Sequence, residues 1–147
     1  MKRPAGRWET TTGQVTGIAL LFVSAGMLGS AVIESIGGDQ GLAMTLAALV
    51  TLVPGAALWL STRPGQIDRA AVFSAVAGTW LIVSVFGALP YLFAGTFNRS
   101  GIGFPVVLAD ALFESVSGFS CTGSTVFGSH NLIADQGPGI LLYRQFT

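Results

Sequence analysis

The sequence predicts an all-α integral membrane protein with three transmembrane helices. It carries three long apolar runs free of charge, 51% of its 147 residues are hydrophobic, and only 10% are charged. A soluble domain carries about 25% charged residues, because its surface must be wetted by water. A chain without that charge is suited to lipid as its solvent.

No charge interrupts the stretch between Glu9 and Glu34. Its apolar part, Val15 to Ile33, is long enough to cross a hydrocarbon layer of about 30 Å as a helix. Lys2, Arg3 and Arg7 in front of it raise the rival reading of a cleaved signal peptide, but the run exceeds the roughly 7–15 apolar residues such a peptide carries. Gly37 and Gly38 mark a turn. A second uncharged run then extends from Gly41 to Leu60 and stops before Ser61, Arg63 and Pro64. Pro54 inside it removes one backbone hydrogen bond and predicts a kink, which membrane helices tolerate when neighbours satisfy the freed carbonyl. The third run, Ala70 to Ala94, follows Asp68 and Arg69; Trp80, Phe86, Tyr91 and Phe93 lie toward its far end, where aromatics suit a membrane interface. Small residues four apart, Gly13 with Gly17 and Ala25 with Gly29, allow helices to approach closely.

The pattern changes at Pro105. Val106 to Val116 is about 11 residues, roughly 16 Å as a helix, too short to span. Asp110 and Glu114 share one face of it, and a carboxylate at a lipid-exposed helix centre would cost about 2.5–3.5 kcal/mol. The segment is therefore either an external surface helix or a re-entrant helix packed inside protein. After it, Ser117 to Thr125 is a run of small and hydroxyl residues punctuated by glycines, which favours extended backbone with exposed carbonyls. Such a loop is either an ordinary surface connection or a lining for a dehydrated cation. In the second case the carbonyls of Ser120, Cys121, Thr122 and Gly123 replace the ion's water, helped by the Thr122 hydroxyl and by the negative carboxyl end of the preceding helix.

The string Asp110-Ala-Leu-Phe-Glu-Ser-Val-Ser-Gly-Phe-Ser-Cys-Thr-Gly-Ser-Thr-Val126 resembles the first pore loop of the Trk/Ktr/HKT superfamily of potassium transporters, closest to its TrkH branch. Upstream, Phe86-Gly-Ala-Leu-Pro-Tyr91 is similar to the end of that family's outer pore helix; downstream, Leu141-Leu-Tyr-Arg144 looks like the start of its inner pore helix. The resemblance implies that residues 1–69 hold two amino-terminal membrane helices (about 15–36 and 41–60). Residues 70–147 would then form a first pore repeat: outer helix 70–94, pore helix 105–117, filter 118–125, and the start of an inner helix at about 139–147. It implies a re-entrant pore helix and filter loop within a larger four-repeat pore. The filter glycine falls on Gly123, and potassium, the transported substrate, would be bound by the main chain of Ser120, Cys121, Thr122 and Gly123, with Asp110, Glu114 and Gly118 as support and no cofactor. Threonines often stand in the family where this chain has Ser120 and Cys121. Serine in place of the glycine accompanies sodium transport there, so Gly123 implies potassium.

The same resemblance implies membrane lipid as surroundings, a homodimer of the full-length protein, a cytoplasmic nucleotide-binding regulatory subunit, and a bacterial inner membrane location. Because carbonyl rings need four loops about an axis, the chain is expected to be the amino-terminal part of a longer transporter, the alternative being a nonconducting membrane remnant or assembly subunit. Other classes are excluded more simply. The few Lys and Arg form no stripe that could neutralise phosphates, so nucleic acid is no partner. Cys121 stands alone, which excludes an internal disulfide and a Cys-based zinc site and leaves it a packing residue. Ser117 with His130 superficially offers a nucleophile and a base, but His130 lies in the turn-rich segment from Gly128 to Gly139, outside any span and exposed, so no enzyme is expected. Glu114 is read as an acceptor for nearby backbone N–H groups, and Asp110 as favourable near the helix start.

Lys2, Arg3 and Arg7 precede the first span, none lies between the first and second, and Arg63 and Arg69 precede the third. This distribution predicts a cytoplasmic amino terminus and an external Gly95–Phe104 loop. Reporter fusions at each connection should read cytoplasmic around Arg63 and external around Arg99; an external Arg63 loop would contradict the assignment.

Overall fold

Backbone amides cannot hydrogen-bond to lipid, so an uncharged apolar run closes its hydrogen bonds within itself, as a helix. The computed structural model describes residues 8–37, 41–65, 69–128 and 133–147. It is mostly helical: α1 (Thr11–Gly37), α2 (Gly41–Ser61), α3 (Arg69–Gly87), α4 (Leu89–Phe93), α5 (Phe104–Phe119) and α6 (Pro138–Phe146). One short parallel strand pair, β1 (Trp8–Glu9) with β2 (Thr62–Arg63), ties the beginning of α1 to the end of α2. The segments Thr11–Ile36, Gly41–Ser61 and Arg69–Phe93 are long and apolar enough to cross a membrane, and the chain is a multi-pass membrane protein. Lys2, Arg3, Arg7, Gly38, Asp68 and His130 lie outside the described residues.

Small residues bring α1 and α2 together in antiparallel fashion. A Cβ on Gly17 would stand 2.7 Å from the Trp59 amide nitrogen and 3.1 Å from the Gly55 carbonyl oxygen, so the two backbones touch where both helices lack side chains. The second small pair of α1 makes no such contact: Ala25 is exposed, and a Cβ on Gly29 would meet nothing within 4 Å. Hydroxyls serve the same interface, Ser24 donating to the Ala48 carbonyl at 2.9 Å. Toward α3, the Thr16 and Thr79 hydroxyls are 2.8 Å apart. Large apolar side chains such as Phe22, Leu42, Val53 and Phe73 point outward, while Ala, Ser, Thr and Gly share the contacts with Leu20, Met27 and Met44, as expected when hydrocarbon surrounds the bundle.

The third span is broken. Pro90 has no N–H to return to Phe86, and the helix gives way at Ala88 between α3 and α4. Two carbonyls near the break are met by neighbouring side chains: the Ser115 hydroxyl of α5 donates to Ser84 at 2.7 Å, and the Tyr143 hydroxyl of α6 donates to Gly87 at 3.0 Å. Gly87 is required there, since a Cβ would collide with Phe119 and the Ser115 hydroxyl. The Phe86–Tyr91 string thus joins three helices, and α5 and α6 are positioned by it. Pro54, by contrast, lies within α2 without ending it.

Gly17→Leu should destabilise the protein by about 1–3 kcal/mol, the usual cost of overpacking, in thermal or denaturant unfolding in detergent. Gly29→Leu, placed in open space, should stay within about 0.5 kcal/mol of the parent.

Candidate functional site

Helix α5 ends in a left-handed turn that sets the shape of the loop. The Cys121 N–H donates to the Gly118 carbonyl at 2.9 Å and the Thr122 N–H to the Ser117 carbonyl at 3.1 Å, with Cys121 at φ +54°. This paired bonding is the Schellman cap, in which glycine usually occupies the left-handed position. Here cysteine occupies it, at a cost of roughly 1–2 kcal/mol for an L-residue. Because a trans peptide directs its C=O opposite to its N–H, the two amides turned back to the helix leave the carbonyls of Ser120 and Cys121 pointing away from it. Among the described residues, none donates a hydrogen bond to the carbonyls of Ser120, Cys121, Thr122 or Gly123, and all four residues are exposed. Gly123 is at φ +71°, and a Cβ there would meet nothing within 4 Å. The backbone angle, not crowding, therefore favours glycine at this position.

The chain then returns alongside the last turns of α5. The Ser117 hydroxyl donates to the Ser124 carbonyl at 2.6 Å. One turn further back, the Glu114 carboxylate, 3% exposed as a residue, receives the Thr125 hydroxyl at 3.0 Å and the Val126 N–H at 3.1 Å. Arg144 of α6 closes on the same carboxylate, its Nε 2.6 Å from Oε1, while its guanidinium lies over the Phe127 ring at 5.8 Å. Glu114 thus joins three pieces of chain: α5, the returning limb of the loop, and α6. Gly118, inside α5, lets α6 come close, since a Cβ would stand 2.6 Å from the Thr147 hydroxyl. Asp110 does not reach the loop. It pairs with Arg99 at 2.8 Å and pins the preceding connection to α5.

The position that sequence reading missed is Glu34. It is 1% exposed near the end of α1, and its carboxylate accepts the Gly139 N–H in the first turn of α6. A Cβ at either Gly137 or Gly139 would collide with that carboxylate. The negative group meets the positive end of α6, an arrangement the helix dipole favours. The signal was present in part, as a lone carboxylate closing an otherwise uncharged span, but its partner is 105 residues away. Helix α6 is consequently held by buried carboxylates at both ends, Glu34 at its start and Glu114 through Arg144 near its finish.

Fold and loop together define a polytopic helical membrane protein in which the loop after a short helix presents a row of main-chain carbonyls that accept no hydrogen bond from the described residues. Known proteins give that class a more particular form. No family model matches the chain. It is 29% identical over 135 residues to the Trk system potassium uptake protein TrkH of Escherichia coli (strain K12), and equally so to that of Halomonas elongata. It is 31% identical over 137 residues to the TrkH of Vibrio parahaemolyticus. Each match covers 90% of this chain and 26% of the relative, so the chain spans about a quarter of the length of these curated relatives. The TrkH-like resemblance carried by the Asp110–Val126 string is borne out across nine-tenths of the chain.

Arg144→Leu should destabilise the protein by about 3–5 kcal/mol, because it leaves the Glu114 carboxylate buried without its cation. Adding Glu114→Gln to that variant should recover much of the loss, since the amide still accepts from Val126 and carries no charge. Unfolding in detergent measures both.

Proposed function

We propose that this chain forms the first pore repeat of a Trk-type potassium transporter, preceded by two amino-terminal helices, and that the main-chain carbonyls of Ser120, Cys121, Thr122 and Gly123 coordinate potassium during uptake. The observation that carries the reading is the orientation of the loop. Its amide groups are turned back onto α5 at Cys121 and Thr122, so oxygens and not N–H groups are offered outward, and a dehydrated cation needs oxygens. The negative carboxyl end of α5 adds a favourable field at the same place.

Packing supports a re-entrant course for α5 and the loop. Phe119, at the end of α5, shares an apolar groove with Phe22 and Val83, residues well inside the first and third candidate spans. In a membrane the loop would then lie at depth, where irregular backbone is tolerated only when buried or lining a cavity. Four such loops about an axis would complete the coordination rings. The whole transporter would reside in a bacterial inner membrane with its amino terminus cytoplasmic, as a homodimer with a nucleotide-binding regulatory subunit.

Gly123→Ser tests the reading. A side chain at this position projects into open space, on this account the ion path. The variant should lower potassium selectivity over sodium in cells whose potassium uptake depends on the protein. Unchanged relative permeabilities would refute the filter assignment, and absence of any potassium uptake by the uninterrupted reading frame would favour a nonconducting membrane remnant or assembly subunit.

A further inference from the structure

Ser117 is the residue that holds the loop from both sides of its glycine. Its main-chain carbonyl accepts the Thr122 N–H at 3.1 Å, and its hydroxyl donates to the Ser124 carbonyl at 2.6 Å. Thr122 and Ser124 flank Gly123, so one helical residue brackets the glycine, holding the Cys121–Thr122 peptide by its N–H and the Ser124–Thr125 peptide by its C=O. The serine is itself held, because it is 6% exposed on the last turn of α5, one turn from Glu114, whose carboxylate anchors the neighbouring Thr125 and Val126. The Ser120 hydroxyl also lies 3.3 Å from the Ser117 carbonyl and 2.6 Å from the Thr122 hydroxyl, which draws the near limb of the loop toward the same residue.

This bonding divides the carbonyls of the loop into two sets. Those of Ser120, Cys121, Thr122 and Gly123 accept no hydrogen bond from the described residues, whereas that of Ser124 is turned toward α5 and occupied. At that end the Glu114 carboxylate holds the Thr125 hydroxyl and the Val126 N–H but not the Ser124 carbonyl, and Gly123 has no side chain and a backbone angle, φ +71°, that gives it access to conformations that other residues avoid. A hydroxyl needs only to rotate to serve as donor, and a short buried side chain on a helix has little freedom to move away.

Resting on the filter reading above, we infer that Ser117 is a selectivity-positioning residue. It does not touch the ion. By bonding to the Ser124 carbonyl it terminates the coordinating row at Gly123 and holds the spacing of the oxygens around that glycine. Without the bond, the Ser124–Thr125 peptide is free to turn its carbonyl toward the row, the row changes in number and spacing, and discrimination between potassium and sodium falls even though every coordinating residue is intact.

The test compares Ser117→Ala, Ser117→Cys and Ser117→Thr with Gly123→Ser in the intact protein, reading the ratio of potassium to sodium uptake, a quantity that a lower amount of protein in the membrane does not alter. Ser117→Ala should reduce the ratio several-fold. Ser117→Cys, of similar volume but with a weak S–H donor, should fall between it and the parent and serves if the alanine variant does not accumulate. Ser117→Thr, which keeps the hydroxyl, should retain the parental ratio. Parental ratios in the alanine and cysteine variants together with a reduced ratio in Gly123→Ser would overturn the role of Ser117 and leave the filter reading standing. Parental ratios in all four would overturn both.

Discussion

A carboxylate withdrawn from water has to find its hydrogen bonds inside the protein, and Glu114 finds them in the Arg144 guanidinium, the Thr125 hydroxyl and the Val126 N–H. The requirement is severe because an unpaired buried charge costs several kcal/mol. It dictates the local architecture. The returning limb of the loop must run alongside α5 to supply two donors, and α6 must approach the same turn to supply the cation. Both segments are short, and α6 adds the apolar contacts of Ile140, Tyr143 and Phe146 to this polar restraint. The carboxylate therefore does more than add stability: it selects one arrangement of α5, loop and α6 among those the apolar contacts alone would permit.

Similar logic operates at the outer contacts of this unit. The break after Gly87 would be a defect in an isolated membrane helix, since carbonyls there would face hydrocarbon without partners. Ser115 and Tyr143 fill that need at Ser84 and Gly87, which turns a local weakness into the joint where α3, α5 and α6 meet. Glu34 completes the frame from the side of α1, receiving the first turn of α6. Polar groups that need partners, together with core contacts of Tyr91, Ala111, Ile140 and Tyr143, specify how the short segments dock onto the long ones.

The long helices were legible because lipid imposes a simple rule, that uncharged apolar runs of sufficient length become helices, and α1, α2 and the third span follow it. Their contacts were less so: the Gly17 pair is used and the Ala25–Gly29 pair is not, because spacing along one helix carries no information on which face its neighbour occupies. At the loop, the hydroxyl and glycine composition indicated exposed carbonyls, but not that α5 continues through Gly118 and Phe119 or that a Schellman cap with Cys121 in the left-handed position would orient them. Glycine is the usual occupant of that position, and a cysteine gives no local signal. Asp110 looked like a partner of the helix dipole and instead bonds Arg99. Glu34 with Gly137 and Gly139 was hidden by distance along the chain, since a carboxylate and two glycines acquire a shared purpose only once α1 and α6 are side by side.

The central claim is that the exposed carbonyls from Ser120 to Gly123 form a potassium site, and Cys121 offers a direct probe, being the one cysteine of the chain and exposed within that row. The rate at which a small thiol reagent modifies Cys121 in membranes should fall when potassium replaces a large inert cation, and should fall much less with sodium at the same ionic strength. Equal rates in potassium, sodium and the inert cation would contradict the account, because an ion held by these oxygens cannot leave the thiol between them equally accessible.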